Sequence, residues 1–250
     1  MRFLKGVPAL LFLLLFCQAC MPKEEEGMVW VDGRFLMDVS PVTVAGFREF
    51  IRATGYVTEA EKFGDGAVFN FASGEWQLVK GAYWEYPFGA DGTRAVEDHP
   101  VTQVSWNDAQ AYCRWAGKRL PTSEEFLLAE KNGREQYGKT YTWGDDFVDN
   151  GGYKANFWQG TFPVYNTADD GFLTTSPVGY FGKNALGLTD MGGNVWQWCS
   201  DDSPTRPGEK NQRGGSFLCD PSVCHGFKVG GISSSTPESS LVHVGFRCVK

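Results

Sequence analysis

The sequence predicts a single compact domain with little regular secondary structure, its helices gathered in the first half. Three observations point there. From about residue 27 to residue 250 the composition stays rich in Gly, Trp and Phe, without a long linker, repeat or low-complexity run, and roughly 220 residues suit one large domain. Helical periodicity is confined to the chain before Gly133. Beyond it, stretches such as YTWGDD, ANFWQG and GGNVWQW carry Gly, Asn, Asp and aromatic residues with no regular period.

At the N-terminus, Arg2 and Lys5 precede an apolar run over 7–16 that stops at CQAC. About ten apolar residues fall well short of the roughly 20 that span a membrane, so residues 1–19 read as a cleaved secretory signal. Ala19 followed by Cys20 resembles a bacterial lipoprotein signal, although Cys17 stands where Leu is usual; an ordinary signal cleaved nearby is the alternative. The expectation is an exported lipoprotein of the periplasm or outer membrane, held only by lipid on Cys20. Residues 20–27, with MPKEEE, form a polar tether, and the domain occupies 28–250.

The helices follow in order. In PVTVAGFREFIRATG, Val44, Phe47, Phe50 and Ile51 fall at helical spacing and Gly55 is a natural stop. Ser105 caps a second helix with Ala109, Tyr112, Cys113 and Ala116 on one side, ended by Gly117. After KRLP, Thr122 and Glu125 form a capping box for a third. A loop-rich second half needs aromatic packing, a disulfide or an oxygen-ligated metal to fix it.

Removing Arg2 and Lys5 makes the formal net charge of −7 two units more negative, and no Lys/Arg cluster lies downstream. Nucleic acid is therefore excluded as a partner. Seven cysteines less Cys17 and Cys20 leave 113, 199, 219, 224 and 248, an odd number, so at least one thiol stays outside a disulfide. Cys219 and Cys224, five apart around Pro221 in RGGSFLCDPSVC, would point to different faces of a regular element, so a turn must join them. By themselves they suggest a local disulfide.

At HPVTQVSWNDAQAYCRWAGKRLPT, ANFWQGTFPVYNTADDGF, GGNVWQWCSD, RGGSF and GFRCV, the chain resembles the sulfatase-modifying factor family, the formylglycine-generating enzymes. TGYVTEAEKFGD and VKGAYW extend the match, from about Met28 onward. The resemblance implies a single α+β domain, low in regular structure and distantly related to the C-type lectin fold. It implies copper-dependent oxidation, by molecular oxygen, of the cysteine in a sulfatase's C-x-P-x-R segment to Cα-formylglycine. The implied partner is an unfolded sulfatase polypeptide and the implied state a monomer.

Residue by residue, the resemblance makes Cys219 and Cys224 the active-site pair, which members without activity typically lack; two thiolates suit Cu(I). Ser216 matches a serine on the oxygen and substrate side. Asp220, Gly226, Lys228 and Ile232 replace one histidine and three arginines of the well-studied animal members. Cys113 and Cys248 match a disulfide, which leaves Cys199, beside Trp198, as a buried free thiol. Structural Ca2+ is implied at Asn156 and Asp170 with the carbonyls of Phe157 and Phe172. A second Ca2+ is implied at Asp190, the carbonyls of Gly193 and Val195, and Gln197, which stands where glutamate is common. The same Asn and Asp residues could instead make side-chain-to-backbone turns. None of His99, His225 and His243 has metal-ligand spacing to another; His99 suits a structural role and His225 lies next to Cys224. Rival functions are a non-catalytic scaffold lipoprotein on the same fold and a thiol-redox or copper-holding lipoprotein.

Overall fold

The computed structural model describes residues 25–250 apart from 147 and 150. The signal, Cys17 and Cys20 lie outside the described residues. Among them no helix is long and apolar enough to cross a membrane.

The predicted helices form where the caps dictate. Helix α1 (Val44–Thr54) starts at Thr43, whose hydroxyl accepts from Gly46 N, and ends at Gly55 in the left-handed conformation. Helix α2 (Glu59–Phe63) carries a Thr58/Glu61 capping box. In α3 (Trp106–Trp115) Ser105 and Asp108 cap each other's backbone, and in α4 (Ser123–Glu130) Thr122 and Glu125 do the same. Helices this short owe their stability to packing. Phe47 and Phe50 of α1 meet Tyr112 of α3, and Phe47 and Tyr112 meet Phe246, in edge-on and stacked contacts of 5.2–6.3 Å.

Strands are short and scattered. Strands β1 (Met28–Val31) and β2 (Phe35–Asp38) pair with each other, as do β3 (Asp65–Asn70) and β4 (Glu75–Lys80). Two-residue hairpins follow: β5 (Val148–Asp149) with β6 (Gly152–Tyr153), and β7 (Gly160–Thr161) with β8 (Tyr165–Asn166). The largest sheet holds β9 (Trp196–Asp202), β10 (Lys210–Arg213), β11 (Ile232–Ser235) and β12 (Val244–Gly245) in the order β11-β10-β9-β12. Its pairs are antiparallel except β12 with β9, which are parallel. The fold is thus α+β with little regular structure, as predicted.

Two covalent and polar ties close it. Cys113 of α3 is bonded to Cys248 across 135 residues, both fully buried. Arg247, also fully buried, donates Nε to Gln197 Oε1 (2.6 Å), Nη2 to the carbonyl of Thr189 (2.6 Å) and Nη1 to the carbonyls of Asp38 and Val39 (3.2 Å each). Burial pushes its pKa down to about 10, so it stays charged at neutral pH. One side chain thereby joins β2, β9 and the loop before β9.

Candidate active site

Strand β10 delivers the chain to Gly214 and Gly215, then to Ser216. Gly215 has φ +69°, and a Cβ there would lie 2.5 Å from Phe227 N, so only glycine lets the two segments approach. Cys219 N donates to Ser216 O (2.9 Å) and Cys224 N to Asp220 O (2.9 Å), closing two turns in succession. The Asp220 carboxylate caps the second by accepting from Ser222 N (2.7 Å) and from the Ser222 hydroxyl. The result is the turn that the spacing demanded: Cys219 and Cys224 have Cα atoms 4.9 Å apart and are joined as a disulfide.

The two thiols differ in setting. Cys219 is 2% exposed and belongs to the main core with Phe157, Trp196 and Phe227, whereas Cys224 is half-buried at its edge. Ser216 is fully buried; its N–H points at Cys219 Sγ (3.4 Å) and its Oγ accepts from Leu218 N (3.2 Å). Trp158 N donates to Cys219 O (3.0 Å). Phe227 stacks on Phe157 and on Tyr141, with centroids 4.9 and 5.8 Å away. Beside the turn lies a cavity of about 360 Å³, lined among others by Tyr153, Trp158, Asp169, Asp220 and Pro221.

Two of the departures from the animal members have a local reason. Asp220 caps the turn, and at Gly226 a Cβ would stand 2.3 Å from the Trp196 ring, which leaves no room for a longer side chain. Ile232 is exposed. Of the histidines, only His225 is near the pair, and it is exposed. His99 bonds Thr175 (2.9 Å), and burial against Trp76 lowers His243 to about 3, so it is neutral.

The two calcium loci differ in fit. At the first, Asn156 is buried, its Nδ2 donates to Thr174 O (2.7 Å), and its Oδ1 has no partner among the described residues. Burial raises the Asp170 carboxyl despite hydrogen bonds from Phe172 N, Gln159 Nε2 and Phe157 N. The Phe157 carbonyl accepts from Gln159 Nε2. An orphaned buried amide oxygen near a buried carboxylate fits an oxygen-ligated cation. At the second, Asp190 accepts from Gly179 N (2.7 Å) and Asn194 Nδ2 (3.1 Å), its carbonyl takes Gln197 Nε2 (2.8 Å), and Gln197 Oε1 takes Arg247. Every side-chain oxygen faces a donor and a buried guanidinium stands beside them, so this set does not fit Ca2+.

The sequence reading missed Trp158, Phe227, Arg247 and Glu130, which carry no local signal because each acts through contacts far along the chain. Only the terminal GFRCV pointed towards Arg247.

The fold and site define a loop-rich α+β domain that presents a cysteine pair on a tight turn. Residues 21–250 match the sulfatase-modifying factor enzyme 1-like domain, and the chain belongs to that family. It is 44% identical over 244 residues to a formylglycine-generating enzyme of Streptomyces coelicolor, covering 86% of this chain and 77% of that one. It is 42% identical over 250 residues to the formylglycine-generating enzyme of Mus musculus, covering 88% and 66%. It is also 42% identical over 233 residues to the mouse inactive Cα-formylglycine-generating enzyme 2, covering 86% and 74%. Among solved structures, PvdO of Pseudomonas aeruginosa shares the fold with a TM-score of 0.63 at 22% identity, over 86% of this chain and 79% of that one.

Proposed function

We propose that this chain converts the cysteine of a C-x-P-x-R segment in an unfolded sulfatase to Cα-formylglycine, using molecular oxygen and Cu(I) held by Cys219 and Cys224. The observation that carries this reading is the pairing of a core thiol with a half-exposed one at a Cα separation of 4.9 Å. Reduced, they form a donor set suited to Cu(I), and the bound ion would supply a soft centre for the substrate thiol and one-electron chemistry with oxygen. Relatives named active and inactive are similarly identical, so the thiols, not overall similarity, favour activity.

The chain's own residues do the rest. The Ser216 N–H steadies the Cys219 sulfur, and the packing of Phe157, Trp196 and Phe227 keeps water from its inner side. The cavity beside Asp220 and Pro221 receives residues flanking the target cysteine in an extended peptide. Both thiols must lose protons before a metal binds, so activity rises with pH through their ionisation and is blocked by thiol reagents. Asn156 and Asp170, with the carbonyls of Phe157 and Phe172, hold a structural Ca2+. The protein works as an exported monomer tethered through lipid on Cys20, which mass analysis of the mature N-terminus tests.

Mass spectrometry of a C-x-P-x-R peptide after incubation with protein, Cu(I) and oxygen tests the reading: aldehyde is expected, and unchanged peptide with copper bound sinks it. The closed Cys219–Cys224 disulfide favours a second reading, a scaffold module. That reading requires partner binding indifferent to loss of both cysteines.

A further inference from the structure

Glu130, the last residue of α4, is fully buried although its neighbours Lys131 and Asn132 are half-exposed. Its Oε2 accepts from Gly230 N (3.0 Å) and lies 4.0 Å from Arg213 Nη1. Arg213, itself buried, donates Nη1 to Gly231 O (3.4 Å) and Nε to Ser123 Oγ (3.1 Å). An acid from α4 and a base from β10 therefore hold the N–H of Gly230 and the carbonyl of Gly231, adjacent residues of the segment after Cys224.

That segment is compact. Lys228 N bonds His225 O, Gly231 N bonds Lys228 O, and Val229 N bonds Thr140 O. Gly226 lies against Trp196 and Phe227 is stacked in the core. A closely bonded run of five residues, 225–229, thus links Cys224 to Gly230, and the side chain that seats its far end comes from a helix 100 residues earlier.

We propose that Glu130 is a positioning residue for the cysteine pair: by holding Gly230 N–H it fixes the arm that carries Cys224 at bonding distance from Cys219. The acceptor oxygen at that depth, rather than the charge, is what matters. Loosening the arm lowers the effective concentration of one sulfur at the other and so favours the dithiol. The idea deepens the proposed site but does not need copper or peptide chemistry.

The test is a glutathione redox titration of the metal-free full chain with chelator present. Two glutathione thiols give two electrons and two protons to the disulfide, yielding the dithiol and oxidised glutathione. Cys113–Cys248 is followed by the same mass-resolved alkylation as an internal reference. Glu130→Ala and Glu130→Asp, the latter still a carboxyl but one methylene short of Gly230, are expected to shift the Cys219–Cys224 equilibrium towards dithiol about fivefold to tenfold, tenfold being about 30 mV. Glu130→Gln, which keeps reach and acceptor, is expected to stay near wild type, and the reference pair is expected not to move. If Glu130→Ala does not fold, the Gln and Asp variants decide. Superimposable titrations of the folded variants overturn the proposal. So does the reverse order, with Asp like wild type and Gln shifted, and so does a Gln variant that fails to fold. Absence of formylglycine formation in every form leaves this readout intact and counts only against the proposed activity.

Discussion

Cys113–Cys248 and Cys219–Cys224 are the same bond in two settings. The first ties α3 to the C-terminal strand region across 135 residues, with both sulfurs in the core and the aromatic cluster of Phe47, Tyr112 and Phe246 around it. The second spans five residues within one turn, with one sulfur in the core and the other at its edge. A long closed loop removes much chain entropy from the unfolded state, and a short one removes little. Stability therefore rests more on the first pair, which leaves the second available for the proposed chemistry.

The largest expected effect separates them by activity. Cys219→Ala should reduce peptide conversion about a thousandfold or more, equivalent to roughly 4 kcal/mol of barrier, while leaving the thermal midpoint nearly unchanged. A Cys219→Ala protein that unfolds would break the comparison. Cys113→Ala should do the opposite: a loss of roughly 2–5 kcal/mol in denaturant unfolding, with conversion retained at temperatures where the chain stays folded.

The cation locus belongs with the second pair, because the segment from Asn156 to Trp158 meets Cys219 through Trp158 N and Phe227 through the Phe157 ring. Removing Ca2+ with a chelator, or Asn156→Ala, should cost about 1–3 kcal/mol. Either should speed reduction of Cys219–Cys224 more than of Cys113–Cys248, and calorimetry should find one Ca2+ per chain; two would refute the account of Arg247 and Gln197.

The last effect is small over any one pH unit and accumulates as a slope with pH. Burial raises Glu130 to about 8. Between the ordinary glutamate value and 8 the folded chain holds a proton that the unfolded chain has lost. Stability thus falls as pH rises through that window, by at most about 1.4 kcal/mol per unit, and levels off above it. Glu130→Gln should abolish that slope, measured by urea unfolding at several pH values.

Much of this was legible and much was not, for physical reasons. Helices α1, α3 and α4 announced themselves because caps and periodicity are local. Thr58 and Glu61 carry the same capping signature, and α2 could have been read from it. The main sheet could not: β11 is Ile-Ser-Ser-Ser, β12 is two residues long, and their partners lie far along the chain. The cysteine turn was inferable because spacing and Pro221 demanded one. The poor fit of the second calcium locus was not legible, since the sequence shows Asp190 and Gln197 but not that Gly179, Asn194 and Arg247 occupy their side-chain oxygens. Glu130 carries no signal in the sequence, because its burial comes from Gly230 and Arg213, both far along the chain.

The 135-residue span of the first disulfide also bears on the order in which the thiols can pair as the chain is made. As the chain emerges, Cys113 must wait while Cys199, Cys219 and Cys224 pass before Cys248 arrives. Early closure of the five-residue pair removes two of those three wrong partners, and burial of Cys199 in β9 removes the third. The short disulfide would thereby guard oxidative folding, narrowing the set of scrambled isomers open to the long one.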